Sequence, residues 1–332
     1  MACEATVYAR AGLIGNPSDG YYGKCISFIF RNFAAKVSLY ESPEVEIIPS
    51  VQDRSKYDSI DDLTDDVKKN GYYGGIRLMK AAVKKFLEYC QANKIKLPKR
   101  NFSIRYRSTI PRRLGLAGSS ALVAATVRCL MEYYDVSIPQ TILPNLILSV
   151  ETEELGISAG LQDRVIQVYG GCVYMDFDKA IMDVQGHGQY EELDPRLLPN
   201  LYIAYRDDLG EGSETFHNNV KERWLRGDPQ VLEAMQQFAA LAKEARDLLL
   251  AGHSQEIGPL MDRNFDLRRS IYSLDPRNVD MVERARSVGA SGKFTGSGGS
   301  IVGVYEDETM YQRLEEAMKA GGITVIKPKL DV

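Results

Sequence analysis

Between Pro111 and Ala121 the chain reads Pro-Arg-Arg-Leu-Gly-Leu-Ala-Gly-Ser-Ser-Ala, and an apolar stretch of helical character follows to about Tyr134. The N–H groups in the first turn of a helix have no internal partner, and the helix dipole adds positive charge there. Gly115 and Gly118 carry no side chains that would block a close approach. Ser119 and Ser120 can cap the helix or offer hydroxyls to a phosphate or a metal ion. An ordinary glycine loop with a serine cap would read the same way, so this segment alone leaves both uses open. Two well-known phosphate loops are absent. No GxxxxGK[ST] string exists, and Gly12-Leu13-Ile14-Gly15 lacks the first glycine pair of GxGxxG.

Other residues could do related chemistry. Arg10 stands within a predicted strand that ends in the turn-rich Gly15-Asn16-Pro17-Ser18-Asp19-Gly20. A buried Arg there calls for a carboxylate or phosphate, whereas an edge-strand Arg simply faces water. Glu151 falls in a predicted helix and Asp163 in a predicted loop, with Gly156 between them as a helix stop. Such a pair could meet at Mg²⁺, which takes one or two carboxylates plus substrate phosphates. Each could equally be a solvated acid, and Glu153 and Glu154 make Glu151 hard to single out. Gly292 to Gly299 has four glycines in eight positions before an apolar strand, which suits either a tight turn or a close backbone approach.

The elements that must position these residues follow from periodicity. Strand character runs over 6–14, over two β segments within 24–39, and over 45–48, 102–108, 172–177, 201–205, 301–305 and 323–326. Helical spacing covers 76–90, 121–134, 142–155, 231–251, 257–270, 279–288 and 310–320. The acidic stretch 50–70 reads as a solvated surface segment or helix start. Strands come in groups rather than alternating with helices, which predicts α+β units with antiparallel sheets. A boundary between Asp183 and Leu198 gives domains 1–190 and 191–332.

Composition narrows the function. The 332 residues suggest about two domains at roughly 150 residues each. The net charge of −4 gives no general case for nucleic acid or an anionic membrane. Five cysteines with no CxxC pair fit free thiols in a reducing compartment better than a disulfide framework or a zinc ribbon. His187, His217 and His253 form no metal pattern. Neither a signal peptide nor an apolar run of about 18 residues is present, so the expected address is the cytosol.

In order, these segments resemble the galactokinase, homoserine kinase, mevalonate kinase and phosphomevalonate kinase (GHMP) superfamily. Arg10 stands five residues before Gly15-Asn16-Pro17-Ser18-Asp19, matching the superfamily's first motif with Asn-Pro in place of Glu-His. Pro111 to Ala121 resembles the second motif with one extra residue, and Lys293 to Gly299 resembles the third. Further strings resemble the glucuronate-phosphorylating branch: Tyr72-Tyr73-Gly74-Gly75-Ile76-Arg77-Leu78, Ala159-Gly160-Leu161-Gln162-Asp163-Arg164-Val165 and Asn264-Phe265-Asp266-Leu267-Arg268-Arg269.

The resemblance implies a ribosomal protein S5 domain 2-like N-terminal lobe, a ferredoxin-like C-terminal lobe and ATP in the cleft. It implies that Pro111, Gly115, Leu116, Ala117, Gly118, Ser119, Ser120 and Ala121 cradle the nucleotide, and that Ser120 and Glu151 hold Mg²⁺, without deciding which of the two serines is the ligand. Asp163 becomes the general base, with Arg10 beside it. Asn16, Asp19, Gly296, Ser297 and Gly298 bind the sugar. The substrate implied is a small sugar acid, D-glucuronate, phosphorylated at its anomeric hydroxyl, with no nucleic acid or membrane partner. Its carboxylate wants a bidentate Arg, and Arg112, Arg113, Arg164, Arg268 and Arg269 all remain open. The rivals are a superfamily kinase for galacturonate or a heptose phosphate, and a silent sugar- or nucleotide-binding module.

Overall fold

The structure is a computed structural model that describes residues 2–50, 53, 59, 60, 74–206 and 214–330. Most of the acidic stretch 50–70, and the pair Tyr72-Tyr73, lie outside the described residues. In chain order the main elements begin with β1 (Ala2–Ile14), β2 (Lys24–Ser42), β3 (Glu46–Ile48), α1 (Gly75–Ala92), β4 (Asn101–Ser108) and α2 (Gly118–Tyr134). Next come α3 (Leu143–Ser149), a π-helical turn (Val150–Glu154), α4 (Gln162–Tyr169), β5 (Cys172–Asp176), α5 (Lys179–Gln185), β6 (Gln189–Leu193) and β7 (Leu201–Tyr205). The chain continues with α6 (Glu214–Leu225), α7 (Pro229–Leu250), α8 (Ile257–Ile271), α9 (Pro276–Ser287), β8 (Lys293–Phe294), β9 (Ser300–Val304), α10 (Glu308–Lys319) and β10 (Thr324–Ile326).

These elements form two compact units that interleave along the sequence. The first comprises Met1–Ala9, Phe33–Ile110 and Ala117–Val168; the second comprises Arg10–Asn32, Pro111–Leu116 and Tyr169–Val332. In the first, the later part of β2 pairs antiparallel with β4 from Ala35↔Ser108 to Ser42↔Asn101. The alternation of Val37 and Leu39 on β2, and of Phe102, Ile104 and Tyr106 on β4, puts apolar side chains on the buried face. Helix α2 covers that face: Tyr133 meets the Phe102 ring edge-on at 5.9 Å. Strand β3 joins β4 in parallel, which departs from the all-antiparallel expectation.

In the second unit, Lys24 to Phe28 of β2 pair antiparallel with β5, and β5 with β6. A separate antiparallel sheet has the order β10-β7-β9-β8. Its core joins Tyr202, Phe294 and Ile301 to Phe265, Met281 and Leu314 of the covering helices. The α+β class expected from the sequence holds.

Several local expectations change. The two predicted β segments at 24–39 are one strand. The strand runs on through the polar Arg31-Asn32 pair, which bonds to the C-terminal segment: Arg31 N donates to Lys329 O at 2.8 Å and Asn32 Nδ2 to Lys327 O at 3.1 Å. The helix expected over 142–155 becomes α3 plus the π turn. Short α4, α5, α6 and β6 are additions that the sequence reading did not contain. All five cysteines are buried and none forms a disulfide among the described residues.

Candidate active site

The first group of candidate residues meets inside the second unit. Arg10, near the end of β1, is 4 % exposed. Its Nη1 donates to Gly115 O at 2.6 Å and to Thr295 O at 3.0 Å. Thr295 Oγ1 donates to the same Gly115 carbonyl at 3.1 Å, and Ser300 Oγ to Leu114 O at 2.5 Å. Gly12 N donates to Thr295 O at 2.8 Å. Three segments distant in sequence are thereby tied into one hydrogen-bonded junction: the end of β1, the Pro111–Leu116 loop and the Thr295–Ser300 turn. Two glycines make this closeness possible. Gly115 has φ +65°, and a Cβ there would lie 2.9 Å from Gly298 O; a Cβ on Gly296 would lie 2.6 Å from Gly115 O.

Helix α8 holds the other side of the junction. Asn264 accepts from Gly15 N at 2.7 Å and donates to Asn16 O at 3.2 Å. One turn later on the same face, Arg268 donates from Nη1 to Gly296 O at 2.8 Å. Asn16 is buried, and its amide donates to Phe294 O at 3.5 Å. Asp19 lies half-buried on the short turn Ser18–Tyr21. Lys293 is buried with its Nζ donating to Gly12 O and Phe294 O, each at 2.7 Å. Burial, and the nearby positive charges of Arg268 and Arg10, hold its pKa well below the usual lysine value.

The second group meets inside the first unit. Helix α2 starts at Gly118, three residues earlier than the sequence suggests, with Ala117 in the left-handed region at its N-cap (φ 62°). Ser119 and Ser120 therefore lie in the first turn and do not cap it. Ser120 Oγ instead donates to Ala117 O at 3.1 Å. No acidic side chain stands in that turn itself. Gln167 of α4 also donates to Ala117 O, at 2.9 Å. Asp163 is one turn before Gln167 on the same face, in the first turn of α4 rather than in a loop. Its neighbour Arg164 is buried and ion-paired with Glu151, which the π turn carries. Arg164 Nη1 lies 3.4 Å from Asp163 Oδ2. Ser120, Asp163 and Glu151 are thus all linked to one short helix.

The residues fit a magnesium nucleotide. Mg²⁺ needs few protein oxygens when phosphates supply the rest, and a hydroxyl with one carboxylate is such a set. Among the described residues no group of three His, Cys, Asp or Glu side chains could form an all-protein cage. Sequence reasoning assigned no role to Gln167, Asn264 or Thr295, and two of the three were visible only as members of the quoted strings.

Comparison with known proteins shows the family and the fold. Residues 77–171 match the family described as GHMP kinases N terminal domain, and residues 245–324 match GHMP kinases C terminal. The chain is 43 % identical to Glucuronokinase 1 of Arabidopsis thaliana, covering 99 % of this chain and 92 % of that protein. It is 45 % identical to Probable glucuronokinase 2 of the same plant, covering 98 % and 91 %. The fold superposes on the crystal structure of Methanococcus jannaschii mevalonate kinase with a TM-score of 0.74 at 19 % identity, covering 100 % of this chain and 99 % of that one. The chain belongs to the GHMP kinase family.

Proposed function

We infer that the protein is an ATP-dependent sugar kinase that phosphorylates the anomeric hydroxyl of D-glucuronate, giving D-glucuronate 1-phosphate and ADP. The observation that carries this is the near-full-length identity to two glucuronokinases. The site chemistry is consistent with it. Phosphoryl transfer depends on positioning and charge neutralisation more than on covalent help from the protein. The loop from Pro111 through Gly115, Leu116, Ala117, Gly118 and Ser119 to Ala121 receives the triphosphate on backbone N–H groups. Ser120 and Glu151 would hold Mg²⁺, which when bound neutralises phosphate charge. Arg164 keeps the Glu151 carboxylate in place.

Asp163 accepts the proton of the attacking hydroxyl as the new O–P bond forms and the γ-phosphorus separates from the β,γ-bridging oxygen. Arg10, fixed by two carbonyls, stabilises charge on the transferring group. Asn16, Asp19 and the Gly296-Ser297-Gly298 turn bind sugar hydroxyls. We assign the two lobes to 1–190 and 191–332, with one matched family segment in each. A cytosolic location is part of the same proposal; no helix among the described residues is long and apolar enough to cross a membrane.

The test is ATP consumption over a sugar panel. Glucuronate should give the highest kcat/KM, above galacturonate, glucose and heptose phosphates. Turnover of a different sugar with none on glucuronate would reassign the substrate, and no turnover on any sugar would favour a silent binding module.

A further inference from the structure

We infer that Arg268 receives the carboxylate of the sugar acid and sets the preference for an acid over a neutral sugar. This rests on the glucuronate reading above and names the residue that carries it.

Of the five candidate arginines, four are exposed or already engaged. Arg164 is ion-paired with Glu151, and Arg269 is exposed and pairs with Glu283 at 3.1 Å. Arg112 and Arg113 are exposed. Arg268 differs in being 4 % exposed while no carboxylate lies within ion-pairing distance among the described residues. Its guanidinium lies 5.1 Å from the Phe294 ring centre and 5.2 Å from that of Tyr272. Two of its five donors are used, by Gly296 O at 2.8 Å and Ser297 O at 3.4 Å, and its Nε is buried without a partner.

A buried cation in this state is costly unless an anion completes it. Lys293, also buried and bonded among the described residues to two carbonyls, adds positive charge nearby. Half-buried Asp19 is the acidic side chain whose charge bears on Arg268. Beside this excess of donors is an orphan acceptor: Asn16 Oδ1 is buried with no partner among the described residues. Asn16 and Arg268 share Phe294 and the face of α8 as neighbours. One ligand that satisfies both is a molecule carrying a carboxylate and a hydroxyl, as a sugar acid does. A planar carboxylate suits the guanidinium fork, which explains an Arg here rather than a Lys.

The experiment compares D-glucuronate with D-glucose, its neutral counterpart, in the wild type, Arg268→Gln, Arg268→Lys and the control Arg269→Gln. Arg268→Gln should lower the glucuronate-to-glucose ratio of kcat/KM by roughly 10- to 100-fold, with most of the change in KM for glucuronate. Arg268→Lys should fall between, because it keeps the charge and loses the fork; it also serves if the Gln variant does not fold. Arg269→Gln should match the wild type, and the Kd for ATP should not change in any variant. An unchanged ratio in both Arg268 variants, with both sugars reduced alike, would show a structural role and overturn this inference alone. Loss of ATP affinity at an unchanged ratio would assign the cation to phosphate and also overturn it. A wild type inert toward glucuronate but active on another sugar overturns the substrate reading and this inference with it.

Discussion

Asp163 is the residue on which the proposed chemistry turns. Its side chain is 21 % exposed, so a substrate hydroxyl can reach it. It stands in the first turn of α4, where the helix dipole favours negative charge. Asp163→Asn keeps the shape and removes the proton acceptor. We expect kcat to fall by about 10²- to 10⁴-fold while the Kd for ATP stays within about twofold, read by steady-state kinetics and titration calorimetry. Unchanged turnover would remove Asp163 from the base role. At this scale the sequence was legible where a residue belongs to a string with a chemical reason, as Arg10, Gly115 and Asp163 do. It was not legible for Gln167 or Asn264, whose partners are backbone groups of segments far away in sequence. Choosing Arg268 from five arginines needed burial and partner geometry, which no spacing encodes.

At the scale of elements, the proposed phosphate loop is held by what packs against it. Gly115 combines a left-handed φ with a Cβ position 2.9 Å from Gly298 O, whereas a Cβ on Gly118 would meet only Ile110 at 3.4 Å. Gly115→Ala should lower stability by about 1–2 kcal/mol from the backbone conformation alone, and more from the clash. Gly118→Ala, at the first residue of α2, should be neutral to slightly stabilising. Thermal melting of the two variants checks this, and equal melting temperatures would contradict the packing account. Element types were readable from periodicity, as with α1, β4 and α8. Most of their boundaries were readable to within a residue or two, but not all local detail was. The start of α2 is set by Ala117 in a left-handed conformation, and the helical stretch that ends beside Gly156, as expected, changes from α to π at Val150. Neither has a local sequence signal, and π turns recur at functional positions. Short α4 went unread because eight residues are too few for a clear period.

At the scale of the molecule, the motifs that lie far apart in sequence converge within each unit. The end of β1, the loop before α2 and the turn before β9 share one junction; α4 carries Asp163, its Arg164 pairs with Glu151, and its Gln167 bonds the same Ala117 carbonyl as Ser120. Motif order in the sequence pointed to the family and to the α+β class. The interleaving of the units was not visible, because β1 and β2 each read as ordinary strands although both pass from one unit into the other. The central claim is that ATP's γ-phosphoryl goes to the anomeric oxygen of glucuronate. Phosphorus and proton NMR of the product of a complete reaction addresses it most directly. The account predicts a phosphate monoester signal coupled to the anomeric proton of glucuronate, formed in equal amount to ADP. A phosphate coupled to a proton at any other carbon, or ADP formed with no phosphorylated glucuronate, would contradict it.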